Sequence, residues 1–189
     1  MAELKHNVVT HGASGKVGDL IVFSQRNGKT IISKVPKKRT IKSEEVKKVN
    51  EKFILASAYA KNAVFQLHIK ARYQQKAKPG QSAYNLALAD YFTTPEIEFI
   101  DCSFYRGEAG DSIRIQVKEV GVIDYVKVSI TIADGLLVEE GLAIGKEQSE
   151  EWTYKTTQKN ISFAGSIIVI MIANLAGNSS SRQEIITAI

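Results

Sequence analysis

The sequence predicts an α+β chain in which an N-terminal β-hairpin and helices precede an antiparallel β-sandwich. Three observations predict it. Asn27-Gly28 separates two runs of strand-forming residues, apolar or small residues then recur three and four apart from Val46 to Leu67, and from about Pro95 the pattern changes to alternation in seven short runs. A boundary at that change divides the chain into a basic hairpin and helical region, 1–95, and a strand-rich region, 96–189.

In "LIVFSQRNGKTIISKV", residues 20–35, Asn-Gly supplies the positive φ angles of a type I′ turn. Pairing about that turn sets Phe23 opposite Ile32 on one face, with Ile21 beside them. Leu20, Val22, Ile31 and Val35 fall on the other face. A hairpin apolar on both sides is unstable alone in water and needs a cover, from the rest of the chain or from another copy. These residues, with Asn27 and Gly28, make a candidate assembly hairpin.

Pro36 ends the second strand, and "KKRTIK" forms a basic connector to a helix capped by Ser43 ahead of Glu44-Glu45. Val46, Val49, Phe53, Ala56, Ala60, Ala63 and Leu67 then predict one long amphipathic helix, roughly residues 43–73, with a narrow alanine-rich seam. Pro79-Gly80 breaks the pattern, a shorter helix runs from about Ser82 to Phe92, and Thr93-Thr94-Pro95 stops it.

The seven alternating runs are "EIEFIDCSF", "SIRIQVKEV", "DYVKVSITIA", "LLVEEGLAI", "EWTYKTT", "SIIVIMIA" and "QEIITAI". Seven short strands in about 95 residues argue a β-sandwich of immunoglobulin-like type. Val126, Val128, Ile130 and Ile132 are expected in its core, with Lys127, Ser129 and Thr131 outward and Trp152 as its large core residue.

Of the 189 residues, 44% are hydrophobic and 24% charged, the balance of a soluble globular protein. One cysteine, Cys102, allows no intrachain disulfide, and "MAELKHNVV" lacks the apolar core of a secretory signal; a cytoplasmic origin is the default expectation. The densest apolar stretch, Ile167 to Ala173, is of strand length, far short of the roughly 20 residues of a spanning helix, so no membrane partner is expected. Charge is unevenly placed. Residues 1–83 carry 17 Lys and Arg against 5 Asp and Glu, a net +12, while residues 84–189 carry 8 against 15, a net −7. Such a split suits an anionic partner for the first part or head-to-tail attraction between copies.

Chemistry finds little purchase. Gly15-Lys16 looks like the end of a phosphate-binding loop, but Thr10 stands where that motif needs its first glycine and Val17 where it needs a hydroxyl; no cofactor is expected. His6, His11 and His68 lack ligand spacing with Cys102, so no metal site is expected. Glu139-Glu140 and Glu150-Glu151 read as surface charge, since adjacent strand residues point to opposite faces. Cys102 reads as an inert core thiol. Lys34, Lys37, Lys38, Arg39 and Lys42 are candidate anion or nucleic-acid contacts that would act by neutralising phosphates, without interleaved aromatics for base stacking.

Across "GKVGDLIVFSQRNGKTIISKVPKKRTIKSEEVKKVNEKF" the chain resembles phage- and prophage-borne proteins and a family of uncharacterised Bacteroidetes proteins. The resemblance lies in Gly15, Lys16, Gly18, Phe23, Gly28, Pro36 and Thr40, ahead of a long helix. It departs from the phage pattern at Lys34, where arginine is more usual, and in lacking a Trp-containing helix end. Separately, "VGVIDYVKVSITIADGLLVEEGLAI", "EWTYKTT" and "IANLAGNSSS" resemble bacterial immunoglobulin-like modules. The resemblances imply a structural or binding module and no catalytic residues. The expectation is a non-enzymatic structural protein that self-associates as a homo-oligomer or polymer, or joins a larger, phage-like assembly, in the cytoplasm or in a particle released from it. The alternative is a nucleic-acid-binding protein using the basic connector and helix.

Overall fold

In the computed structural model the alternating runs become paired strands and the three-and-four spacing becomes helices. Residues 2–4, 10–26, 28–37, 43–118, 121–145 and 150–187 are described. By compactness the chain divides into two units, Met1–Glu51 and Lys52–Ile189. The change of periodicity near Pro95 lies inside the second unit, where helices give way to strands.

The first unit is built around β3 (Ile21–Arg26) and β4 (Lys29–Lys34), with β1 (Ala2–Leu4) beside β4 and β2 (Gly15–Val17) beside β3. The order β1-β4-β3-β2 is antiparallel throughout. Helix α1 (Glu44–Phe65) begins here, with Ser43 Oγ accepting from the Val46 amide and Glu44 pairing with Lys47.

The expected single helix over 43–73 is two. α1 ends at Phe65, Gln66 is extended (φ −82°, ψ 110°), and α2 (Leu67–Lys76) begins on a new course. No Gly or Pro forces the break. Its consequence is what Tyr73 reaches: the phenol is fully buried, whereas Leu67, expected in the seam, is 79% exposed. The break thus gives up one leucine and places a hydrogen-bonding aromatic inside. Only Ala56, Ala60 and Ala63 of the expected seam are buried; Val49 and Phe53 are exposed. After Pro79-Gly80, α3 (Ala83–Tyr91) is capped by Ser82, whose hydroxyl accepts from the Asn85 amide. Ala83 and Ala87 join Ala60, Ala63, Tyr73 and Val122 in one buried cluster, so small residues bring the helices together.

The strands form two four-stranded antiparallel sheets. One, β5-β6-β10-β9, comprises Ile97–Asp101, Ser112–Val117, Glu151–Lys155 and Ile144–Gly145. The other, β12-β11-β7-β8, comprises Ser179–Ile185, Ile167–Asn174, Ile123–Thr131 and Leu137–Leu142. Inward residues of both, among them Ile113, Ile115, Val126, Val128, Ile130, Ile168, Ile170 and Ile172, belong to one buried cluster. Val126, Val128 and Ile130 are therefore where alternation predicts; Ile132 lies beyond the strand and is half-buried.

One expected strand, "LLVEEGLAI", is divided between the sheets. β8 pairs with β7, and β9 pairs with β10. Gly141 in this stretch and Gly145 just after it make room for aromatic rings: a Cβ on Gly141 would stand 2.8 Å from the Tyr154 ring, and one on Gly145 about 3.0 Å from Trp152. Trp152 is half-buried against the core cluster and does not fill its centre; an indole laid over a glycine backbone keeps one edge in solvent. No helix among the described residues is long and apolar enough to cross a membrane.

Candidate assembly surface

The hairpin register follows from its turn. Arg26 pairs with Lys29 and Phe23 with Ile32, as a two-residue loop requires, and Gly28 has φ +73°, a conformation other residues adopt at a cost. Flanking strands cover its edges: Glu3 lies opposite Ile31, and Gly15 opposite Phe23. Its faces are less well covered. Ile21, Val22, Phe23, Ile31, Ile32 and Val35 are all half-buried, and Leu20, in the turn before β3, is 79% exposed, although its carbonyl accepts from the Val35 amide. Thr30 is the one residue of 10–37 that is buried among those described. Its hydroxyl accepts from Gln25 Nε2, which also donates to the Ala13 carbonyl and ties the hairpin to the preceding loop. Lys16, on β2, pairs with Asp19 at 2.6 Å.

Of the candidate cationic contacts, Lys34 and Lys37 are exposed. Lys38, Arg39 and Lys42, and the turn residue Asn27, lie outside the described residues, as do His6 and Thr40.

Three features escape sequence reasoning. The first is a buried polar joint. Asp90, near the end of α3, is 1% exposed; its Oδ2 accepts from Tyr73, and its Oδ1 from the Val122 amide and Asn174 Nδ2. Tyr59 and Tyr73 share a further hydrogen bond of 2.8 Å. Asn174 and Asn178 donate to the carbonyls of Asp90 and Thr93, so the end of α3 is held by the β11–β12 turn. A bulge between Ala173 and Asn174 redirects the Asn174 side chain toward these carbonyls. Burial raises the Asp90 pKa against the opposing pull of its donors, and raises those of Tyr59 and Tyr73. The partners are 14 to 88 residues apart, so no local motif announces them.

The second feature is Glu139, which the pairing rule assigns to the surface together with Glu140. Glu140 is exposed and bound to Lys127 and Ser129. Glu139 is buried instead, its Oε2 accepting from Tyr154 Oη and from the amide and hydroxyl of Thr157. Alternation puts one of two adjacent strand residues inside, and here donors on β10 and just beyond it make that tolerable. The third is a cleft of about 660 Å³ between the ends of β5 and β12, lined by Ile100, Phe163 and Ile186 with Cys102, Arg106 and Glu184. Burial pushes the Cys102 thiol up to about 12. His11 and His68 are exposed.

No protein-family model matches the chain, and no curated protein matches it either.

Proposed function

We propose that the chain is a non-enzymatic structural protein that self-associates, or joins a larger, phage-like assembly, through its N-terminal hairpin sheet and its opposed charges. The observation that carries this reading is the state of that sheet. Six apolar side chains on its two central strands and just beyond remain half-buried, and none is fully buried among the described residues. A sheet with no buried apolar side chain among those described has little to hold it in water, and a second surface supplies what is missing. The C-terminal sheets, with seven expected strands, antiparallel pairing and one shared core, read as the layers of an immunoglobulin-like sandwich.

Light scattering across protein concentration and salt tests the reading. Association through the hairpin persists as salt rises, association through charge weakens, and Phe23→Lys abolishes the salt-resistant part. A protein that stays monomeric at high concentration and low salt overturns it.

The net +12 of residues 1–83 and the exposure of Lys34 and Lys37 favour a second reading, a nucleic-acid-binding protein. Low salt is its most permissive condition, so a mobility-shift titration at about 50 mM salt with no bound species removes it.

A further inference from the structure

β5 and β12 are each the outer strand of a sheet, and they run side by side where the two sheets meet. At one end side chains bridge the gap: Ser180 donates to the Pro95 carbonyl, and Arg182 to the Glu98 carbonyl. Further along, between Ile100 and Ile186, the cleft opens. Its volume of about 660 Å³ lies inside the range of small-ligand sites, about 300–1,000 Å³.

Ile100, Phe163 and Ile186 give the cleft apolar walls, and opposite charges line it without meeting. Glu108 is taken up by Lys159 at 2.8 Å, and nearby Asp101 by the Ser103 amide and hydroxyl. Among the described residues, the side chains of Arg106 and Glu184 make no hydrogen bond or ion pair, with each other or with any other group. Arg106 is exposed, but Glu184 is half-buried, where a carboxylate ordinarily has a donor. The Glu184 charge is felt inside the cleft, since it helps to raise the Cys102 thiol. Edge strands also carry backbone N–H and C=O groups without strand partners, which an extended peptide can satisfy.

We propose that this cleft binds a short apolar peptide with free ends, its ammonium at Glu184, its carboxylate at Arg106 and its side chains against Ile100, Phe163 and Ile186. Other ligands satisfy less of the site. A fatty carboxylate leaves Glu184 unpaired, an apolar amine leaves Arg106 unpaired, and a free apolar amino acid leaves the strand edges empty. The site is independent of the hairpin and of self-association.

Isothermal titration calorimetry of the full chain at about pH 7, with leucyl-leucine as the probe, tests the proposal. The dipeptide binds saturably, and its N-acetylated and C-amidated forms each bind about tenfold or more weakly, the cost of one lost charge-assisted hydrogen bond. Glu184→Gln weakens the free dipeptide by the same factor but leaves the N-acetylated form unchanged. Arg106→Gln does the same with respect to the amidated form. Circular dichroism melts verify folding, and Arg106→Gln, at an exposed position, carries the test if Glu184→Gln fails to fold. Absence of saturable binding overturns the proposal. Losses on acetylation and amidation that persist in full in the matching variants overturn it too, because the ends of the peptide then meet other groups. Free leucine binding as tightly as the dipeptide replaces the peptide with an amino acid and overturns the role given to the strand edges.

Discussion

Tyr73 donates its phenolic hydrogen to Asp90 Oδ2 across 2.7 Å, joining α2 to α3 where both side chains are buried. The same phenol meets Tyr59 of α1 at 2.8 Å, so a single hydroxyl connects all three helices. Removing it leaves a buried carboxylate short of one donor and Tyr59 short of its partner. Tyr73→Phe is expected to destabilise the Lys52–Ile189 unit by about 1.5–3 kcal/mol, the range for a hydrogen bond to a charged group. Urea unfolding followed by circular dichroism measures it, and a change under about 0.5 kcal/mol contradicts a structural role for the hydroxyl.

Asp90 also gives stability a pH dependence of defined sign. Burial raises its pKa in the folded chain above the ordinary 3.8. Between the two values the folded chain binds more protons than the unfolded one. The associated stability is therefore full below the ordinary value and is lost as pH rises through the raised one. Asp90→Asn cannot titrate. The stability of wild type minus that of the variant is expected to fall with rising pH across this window; a flat or rising difference in urea midpoints argues against it.

Two glycines separate backbone strain from steric obstruction at this joint. Gly121 and Gly135 both have positive φ, +77° and +85°. A Cβ on Gly135 meets open space, while one on Gly121 would fall 1.8 Å from Asp90 Oδ1. Gly135→Ala is expected to cost about 1 kcal/mol, the strain of the left-handed region alone. Gly121→Ala must also displace a hydrogen-bonded carboxylate, and is expected to cost at least about 3 kcal/mol. Paired thermal melts compare them, and equal losses contradict the packing of Gly121 against Asp90.

The contrast between hairpin and joint explains what could be read from the sequence. Phe23 opposite Ile32 follows from Asn27-Gly28 because two residues of turn fix every pair behind them. Val126, Val128 and Ile130 follow from alternation for the same local reason. The break at Gln66 does not, because no residue there disfavours helix; what selects it is Tyr73 reaching Asp90, a contact 17 residues apart in sequence. Glu139 was half legible: alternation showed that it and Glu140 part ways, but the inward one was identified only by Tyr154 and Thr157. In the candidate site, strand pairing was local and legible, whereas the half-burial of Ile21, Phe23 and Ile32 is a tertiary outcome that no local pattern announces.

Cys102 offers a chemical measure of the cleft between β5 and β12. Its thiol is half-buried beside Ile100 and Ile186, and burial, then the negative charges of Glu184 and Asp101, push its pKa from 9.0 up to about 12. Only the thiolate reacts with iodoacetamide. At about pH 8 the folded chain is expected to alkylate roughly a thousandfold more slowly than a thiol of ordinary pKa, as three pKa units dictate. Its rate should go on rising about tenfold per pH unit through pH 10, where an ordinary thiol has levelled off, and unfolding in urea should restore ordinary reactivity. Mass spectrometry of the alkylated chain over time gives these rates. Levelling near pH 9 in the folded chain would mean that Cys102 is solvated, and that the walls of the cleft stand further apart than the packing of Ile100 and Ile186 places them.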